Sequence, residues 1–183
     1  MFKRLLLLSA VAVAAIPTAA SATTSPSSAQ QQCTKLRATM GSTAFTQAYP
    51  SFGTCVSKLA PVDQGNAAVA NAHCQGVQGG KNAFGKCVSD TVKSNVALEQ
   101  AATPNPSQTC RAARTSLGTA AFDAKYKTFG KCVSSVAKAQ VNDEAQAASQ
   151  CRTDSTVTSS TDANAFGKCV VAKTHAANAA RKA

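Results

Sequence analysis

Phe129-Gly130-Lys131-Cys132-Val133 is the stretch that decides the fold, because a copy of it closes each of four cysteine pairs. The same five residues stand at 84–88 and 166–170, and the copy at 52–56 differs only in having threonine for lysine. Phenylalanine, cysteine and valine are spaced i, i+3 and i+4, which is the spacing of one stripe on an α-helix. Each copy therefore predicts the first turns of an amphipathic helix. Its glycine, a poor helix former, indicates that another backbone packs close by.

The four pairs belong to a longer repeat. An offset of 77 residues carries Cys33, Cys55 and Cys74 onto cysteines at 110, 132 and 151, and it also relates Phe45-x-x-x-Tyr49 to the same pattern at 122–126. An internal repeat of this kind indicates a duplicated structural unit. We therefore predict an all-α fold of disulfide-stapled helical repeats, arranged as two tandem helical subdomains at 33–102 and 108–183.

Residues 103–107 are predicted to be the linker between the two modules. Pro104 and Pro106 stop a helix, and Ser107 is a suitable N-cap for the next one. Asn82 and Asn164 are placed to cap the helices that begin with the second and fourth copies of the five-residue stretch.

The N-terminal segment predicts export. Residues 1–22 combine Lys3 and Arg4 with an apolar run and a small-residue cleavage site, which is typical of a secretory signal peptide. A retained membrane anchor is the alternative, but the apolar run is shorter than the roughly 20 residues that span a bilayer. Residues 23–32 lack large apolar side chains and are predicted to form a flexible tail. The expected location is secreted or extracytoplasmic, in the cell envelope.

An even number of regularly spaced cysteines in an exported protein predicts disulfide bonds. Only Gly130 interrupts the segment 128–152, so one helix is expected to run from Cys132 to Cys151. That helix would separate the two Cα atoms by roughly 28 Å, whereas a disulfide needs about 4.4–6.8 Å. Cys151 is instead expected to meet Cys169 across an antiparallel hairpin. Extending this geometry through the repeat, we predict the pairs Cys33–Cys55, Cys74–Cys87, Cys110–Cys132 and Cys151–Cys169.

A signal peptide, a Phe-x-x-x-Tyr spacer and the stretch Asn-Ala-Phe-Gly-Lys-Cys-Val at 82–88 and 164–170 resemble a group of uncharacterised secreted proteins of actinobacterial type. The resemblance covers most of the chain after the signal peptide and brings no function with it. The first copy departs from the pattern at Thr54 and at Pro50-Ser51, so the lysine is not required in every unit.

No catalytic or metal-binding residues are predicted, and no cofactor. His73 and His175 stand at non-equivalent repeat positions, and we expect both on the surface near helix ends. The chain has no C-x-x-C spacing for zinc or redox chemistry. The carboxylates are expected to be solvated, and they are Asp63, Asp90, Glu99, Asp123, Asp143, Glu144, Asp154 and Asp162. An enzyme would require a cavity that brings several polar groups together.

Charge gives the only functional indication. Without Lys3 and Arg4 the chain has 17 basic and 8 acidic residues, a net charge of +9. Such a balance favours polyanionic partners, such as anionic cell-wall polymers or acidic surfaces. Specific nucleic-acid recognition is not expected, because the aromatic residues occupy core-like repeat positions. The candidate anion-binding residues are Lys86, Lys131, Lys168, Arg111, Arg114 and Arg152.

We therefore expect a non-enzymatic exported binding or structural protein. Four alternatives stay open. In the first, the cations only keep an alanine-rich protein in solution. In the others, the chain is a membrane-active, toxin-like cationic protein, a helical scaffold for an unknown protein partner, or an enzyme.

Overall fold

The computed structural model describes residues 27–80 and 82–181, and these residues form helices and turns without any strand. The predicted signal peptide lies outside the described residues. In chain order the helices are α1 Ser28–Met40, α2 Ser42–Ala48, α3 Phe52–Lys58, α4 Ala60–Cys74, α5 Ala83–Ala102, α6 Pro106–Leu117, α7 Thr119–Tyr126, α8 Phe129–Thr153, α9 Ser155–Thr158 and α10 Ala165–Ala180.

Both copies of the repeat begin with the same arrangement of three successive helices, which are α1, α2 and α3 in the first copy and α6, α7 and α8 in the second. Gly41 and Gly118 end α1 and α6 with φ values of 80° and 75°, a left-handed region that favours glycine. The returning helices α2 and α7 then place a phenylalanine ring against the phenylalanine of the five-residue stretch. The ring centroids of Phe45 and Phe52 are 6.3 Å apart, and those of Phe122 and Phe129 are 6.4 Å apart. Both pairs of rings have an interplanar angle of 29°. The duplicated sequence thus builds a duplicated local structure.

The copies differ after this point because of one proline. Pro61 stands near the start of α4, and its repeat equivalent is Lys138 inside the continuous helix α8. Since proline lacks the backbone N–H that a helix interior needs, the first copy breaks into α3 and α4 at Leu59. The second copy continues as one helix of 25 residues.

The structure contains four disulfides, and they are the four pairs that the sequence predicts. Their Cα–Cα distances are 5.9–6.0 Å, and they join Cys33–Cys55, Cys74–Cys87, Cys110–Cys132 and Cys151–Cys169. The first and third are repeat equivalents that tie the start of α3 or α8 to α1 or α6. The other two each close a helical hairpin.

The two copies, predicted as tandem subdomains, pack against each other over one apolar core. The long helix α8 contacts α2 and α4 of the first copy, and α10 contacts α5. Phe166 on α10 lies against Gly65 on α4 so closely that the ring occupies the space of a Cβ at that position. A single core spanning both copies buries more apolar surface than each alanine-rich copy could bury alone.

Several local predictions are corrected by the structure. The tail predicted at 23–32 is not flexible over 28–32, because α1 begins at Ser28 and Ala29 is fully buried. A capping box between Ser27 and Gln30 starts this helix, and the carboxylate of Asp63 accepts a hydrogen bond from the Ala29 backbone N–H at 2.8 Å.

The N-cap predictions also need correction. Asn105, rather than Ser107, caps α6, and its side chain accepts from the backbone N–H of Ser107 at 2.9 Å. Asn82 and Asn164 do occupy N-cap positions, but neither side chain makes a capping hydrogen bond.

The five-residue stretches are less uniform than their sequence. Phe84 is 47% exposed, so it does not occupy the core position that its equivalents hold. The expected close backbone neighbour is found at only one of the four glycines. It is Gly167, where an added Cβ would lie 3.2 Å from the Cα of Asn95.

Candidate functional site

All six candidate anion-binding residues are exposed, but three of them are engaged by other side chains. Lys86 pairs with Asp90 at 2.9 Å, and Lys168 pairs with Asp162 at 2.7 Å. Arg152 donates a hydrogen bond to the side-chain oxygen of Gln64 at 2.5 Å. A cation with a carboxylate at hydrogen-bonding distance contributes little to the attraction of an external anion, so Lys86 and Lys168 are weak candidates. The partner of Arg152 is a neutral amide, so Arg152 keeps its charge but has one of its donors occupied.

The remaining three candidates lie together at the start of the second copy. Arg111 and Arg114 line one open surface groove with Phe129. Lys131 is brought to the same region by the Cys110–Cys132 disulfide, whose Cα atoms are 6.0 Å apart. Since Arg111 and Lys131 each adjoin one of these cysteines, their Cα atoms are at most about 14 Å apart. We call Arg111, Arg114 and Lys131 the basic cluster.

The surroundings of the basic cluster are also cationic. Residues 106–138 contain six basic side chains and one acidic side chain, Asp123. The ion pairs within the described ranges are Lys86–Asp90, Lys168–Asp162 and Arg181–Asp143, and none involves a cation of this segment. No cation of this segment is therefore held in an ion pair by a carboxylate.

The first copy has a groove lined by residues at the equivalent repeat positions, but that groove has fewer cationic side chains. Its lining residues Thr34, Arg37 and Phe52 stand 77 positions before Arg111, Arg114 and Phe129. The repeat thus produces the groove twice, and the second copy adds an arginine where the first has threonine.

Two carboxyl groups that were expected to be solvated are buried in the bundle. Glu99 on α5 is 2% exposed and Glu144 on α8 is 4% exposed. Helices α1, α4 and α10 each contact both α5 and α8 and enclose the two side chains between them. The prediction of solvated carboxylates is therefore wrong for this pair.

Amide side chains surround Glu99. Gln32 Nε2 donates to Glu99 Oε2 at 3.1 Å, and Asn66 Nδ2 donates to Glu99 Oε1 at 3.3 Å. Burial raises the pKa of Glu99 to about 8, the negative charge of Glu144 adds to the rise, and the two amide hydrogen bonds oppose it. Burial likewise raises the pKa of Glu144 to about 7, against the opposing effects of Gln32 and Lys35.

Glu144 also lines a cavity of about 390 Å³ between α1, α8 and the connection from α5 to α6. Polar side chains in its wall include Gln32, Lys35, Gln140 and Glu144, and apolar ones include Leu36 and Val141. Such a mixture of an apolar wall with a few converging polar groups is typical of a small-molecule site.

The only sequence feature that could have predicted the burial of Glu99 and Glu144 is their helical spacing. Glu144 follows Gln140 and Val141 by four and three residues, and Glu99 follows Asn95 and Val96 in the same way. Both carboxyl groups therefore lie on the inward stripes of their helices. The two residues stand far apart in sequence, and no pattern relates their positions. The sequence therefore did not predict that both carboxyl groups are buried in the same bundle.

His73 and His175 are exposed, as the sequence predicts. Among the residues described, no three or more His, Cys, Asp or Glu side chains are grouped so as to hold a metal ion. None of the described helices is long and apolar enough to cross a membrane.

Comparison of the chain with protein-family profiles, with curated proteins and with solved structures found no match.

Proposed function

We propose that this chain is a non-enzymatic exported binding protein that attaches to anionic polymers of the cell envelope through the basic cluster. The observation that carries the proposal is the position of Arg111 and Arg114 in one groove, in a segment with six basic residues and one acidic residue. An unneutralised group of this kind attracts a polyanion more strongly than isolated cations do.

The groove offers more than charge. Arginine presents a planar fork of N–H donors that matches phosphate and carboxylate groups, so two arginines in one depression can hold adjacent anionic units. Lys131 adds a third cation within about 14 Å of Arg111, as the geometry of the neighbouring disulfide requires. The disulfide also fixes α6 against α8, so the cluster is held in place before a polymer arrives.

Paired charge-removing variants test this assignment. Arg111→Gln/Arg114→Gln removes two cations from the basic cluster, and Lys86→Gln/Lys168→Gln removes two cations that are paired with Asp90 and Asp162. The two variants have the same net charge. Binding of fluorescently labelled polyphosphate, followed by anisotropy at low salt, is expected to weaken roughly 2- to 30-fold in the arginine variant. The lysine variant is expected to change much less.

Equal losses in the two variants would show that net charge alone, and not the cluster, attracts the polymer. Binding that does not weaken between low and physiological salt would show that the attraction is not electrostatic. Leakage of anionic liposomes at the concentrations that bind polyphosphate would favour the membrane-active alternative.

A further inference from the structure

The groove of the first copy keeps the main chemical elements of the groove that holds Arg111 and Arg114. Each of its five lining residues stands 77 positions before a residue that lines the second groove, and they are Thr34, Arg37, Ala38, Ser42 and Phe52. Both grooves therefore contain an arginine, a hydroxyl side chain and a phenylalanine. Arg37 takes the place of Arg114, so the first groove retains one cation of the kind that forms the basic cluster.

Arg37 is free to meet an anion. It is exposed, and the ion pairs within the described ranges do not include it. Residues 27–62 contain three basic side chains and no acidic one. The next carboxylate along the chain, that of Asp63, accepts a hydrogen bond from the backbone N–H of Ala29 at the start of α1, whereas Arg37 lies in the last turn of that helix. The first groove thus has a cation that no carboxylate of the described residues holds in an ion pair.

A hydrogen bond between the two copies sets an upper limit on the distance between the grooves. The hydroxyl of Ser107, on α6, donates to the backbone carbonyl of Thr39, on α1, at 3.2 Å. Arg37 precedes Thr39 by two residues, and Arg111 follows Ser107 by four, in the same two helices. With helical spacing on each side of the hydrogen bond, the Cα atoms of Arg37 and Arg111 are at most about 20 Å apart. One extended polymer chain can cover that distance.

We propose that the first groove is a second anion-binding site, centred on Arg37, and that a single linear polyanion occupies both grooves at once. This proposal rests on the proposed function, since it requires that the basic cluster binds the same chain. Once a chain is held by the basic cluster, its contact with Arg37 is intramolecular, so even a weak second site raises the overall affinity. A chain too short to span the two grooves gains nothing from Arg37. The preferred partner is therefore a polymer with many closely spaced phosphate or carboxylate groups, and not a single small anion.

Chain length separates one occupied groove from two. Titration calorimetry at low salt would compare tripolyphosphate with a polyphosphate much longer than the distance between Arg37 and Arg111. Arg37→Gln should weaken binding of the long chain roughly two- to fivefold, the range expected for the loss of one exposed charge contact. It should leave the affinity for tripolyphosphate unchanged, because that probe binds at the basic cluster.

Lys93→Gln is the matched control, because it removes the same charge from an exposed residue of α5 that lines neither groove. It should weaken binding of the long chain less than Arg37→Gln does. Backbone amide shifts of the parent protein give a second readout. The long chain should shift amides within 34–42, and tripolyphosphate should shift mainly those around Arg111 and Arg114.

Equal weakening of the long chain by Arg37→Gln and Lys93→Gln would overturn the proposal, because net charge alone would explain it. So would an Arg37 variant that binds the long chain as tightly as the parent does. If Arg111→Gln/Arg114→Gln still weakens binding in either case, the proposed function stands and only the second site is lost. A parent protein that binds neither probe would contradict the proposed function and this proposal with it.

Discussion

The hydroxyl of Tyr49, in the first copy of the repeat, donates a hydrogen bond of 3.0 Å to the backbone carbonyl of Ala137, in the second copy. Tyr49 is fully buried, and burial together with the charge of Glu144 raises its pKa. Its repeat equivalent, Tyr126, is only partly buried and lies beneath the Lys125 ammonium at 5.4 Å. Duplicated sequence positions have therefore acquired different roles, one between the copies and one at the surface.

Replacing Tyr49 with phenylalanine should destabilise the protein more than the same change at Tyr126. We expect Tyr49→Phe to lower the free energy of unfolding by about 1 kcal/mol, because a buried hydrogen bond is lost. Tyr126→Phe should change it by less than about 0.5 kcal/mol. Urea unfolding of both variants checks the difference, and equal effects would mean that the contact between the copies contributes nothing measurable.

Glycine substitutions test the close approach of α4 and α10. Gly65→Ala would place a methyl group in the space of the Phe166 ring, so we expect a loss of stability of roughly 1–3 kcal/mol. Gly85→Ala is the matched control, since an added Cβ there would meet no atom within 4 Å other than its chain neighbours and the backbone of its own helix. In a helix this second change should stabilise by roughly 0.5–1 kcal/mol. Thermal unfolding that shifts in the same direction for both variants would contradict the packing described.

The pH dependence of stability follows from the buried carboxyl groups. Unfolded glutamate titrates near pH 4.3, whereas Glu144 and Glu99 titrate near 7 and 8 in the folded state. Between these values the folded state holds more protons, so the free energy of unfolding falls as pH rises. The stabilisation that these two protonated carboxyl groups give the folded state is complete below about pH 4 and is lost once the pH exceeds about 8.

Melting temperatures measured from about pH 5 to about pH 9 check this sign. The parent protein should melt at lower temperature as pH rises, and Glu99→Gln and Glu144→Gln should each reduce the slope. An unchanged slope in both variants would mean that neither group is protonated in the folded state.

The disulfides should differ in their resistance to reduction. Both sulfur-bearing residues are fully buried in Cys33–Cys55 and Cys110–Cys132. In the other two pairs, one partner, Cys87 or Cys169, is partly exposed. Because thiol–disulfide exchange requires access to a sulfur, the latter pairs should be reduced first under mild, non-denaturing conditions. Timed alkylation and peptide mapping would reveal the order, and simultaneous reduction of all four would contradict it.

The sequence predicted what depends on local spacing. The i, i+3, i+4 pattern located the helices that carry Cys55 and Cys132, and the impossibility of joining Cys132 to Cys151 across one helix led to the disulfide pairs. Pairing of Lys86 with Asp90 was also readable, since the two residues stand one helical turn apart.

Long-range packing was not predictable in the same way. The positions of Gly65 and Phe166 in the sequence do not predict that the phenylalanine ring packs against the glycine across the two copies. Glu99 and Glu144 were expected in solvent because isolated carboxylates rarely lie buried, and only the assembled bundle supplies the amides of Gln32 and Asn66. The cavity beside Glu144 has the same origin, since its wall is drawn from both copies.

NMR mapping tests most directly whether the basic cluster binds a polyanion. Backbone amide shifts of the labelled protein would be followed while a short polyphosphate is added at low salt. We expect the largest shifts within 106–131, around Arg111, Arg114 and Lys131, with much smaller shifts at Lys86 and Lys168. Equal shifts at Lys86, Lys168 and the basic cluster, or no shifts at any polyphosphate concentration, would show that the basic cluster is not the binding site.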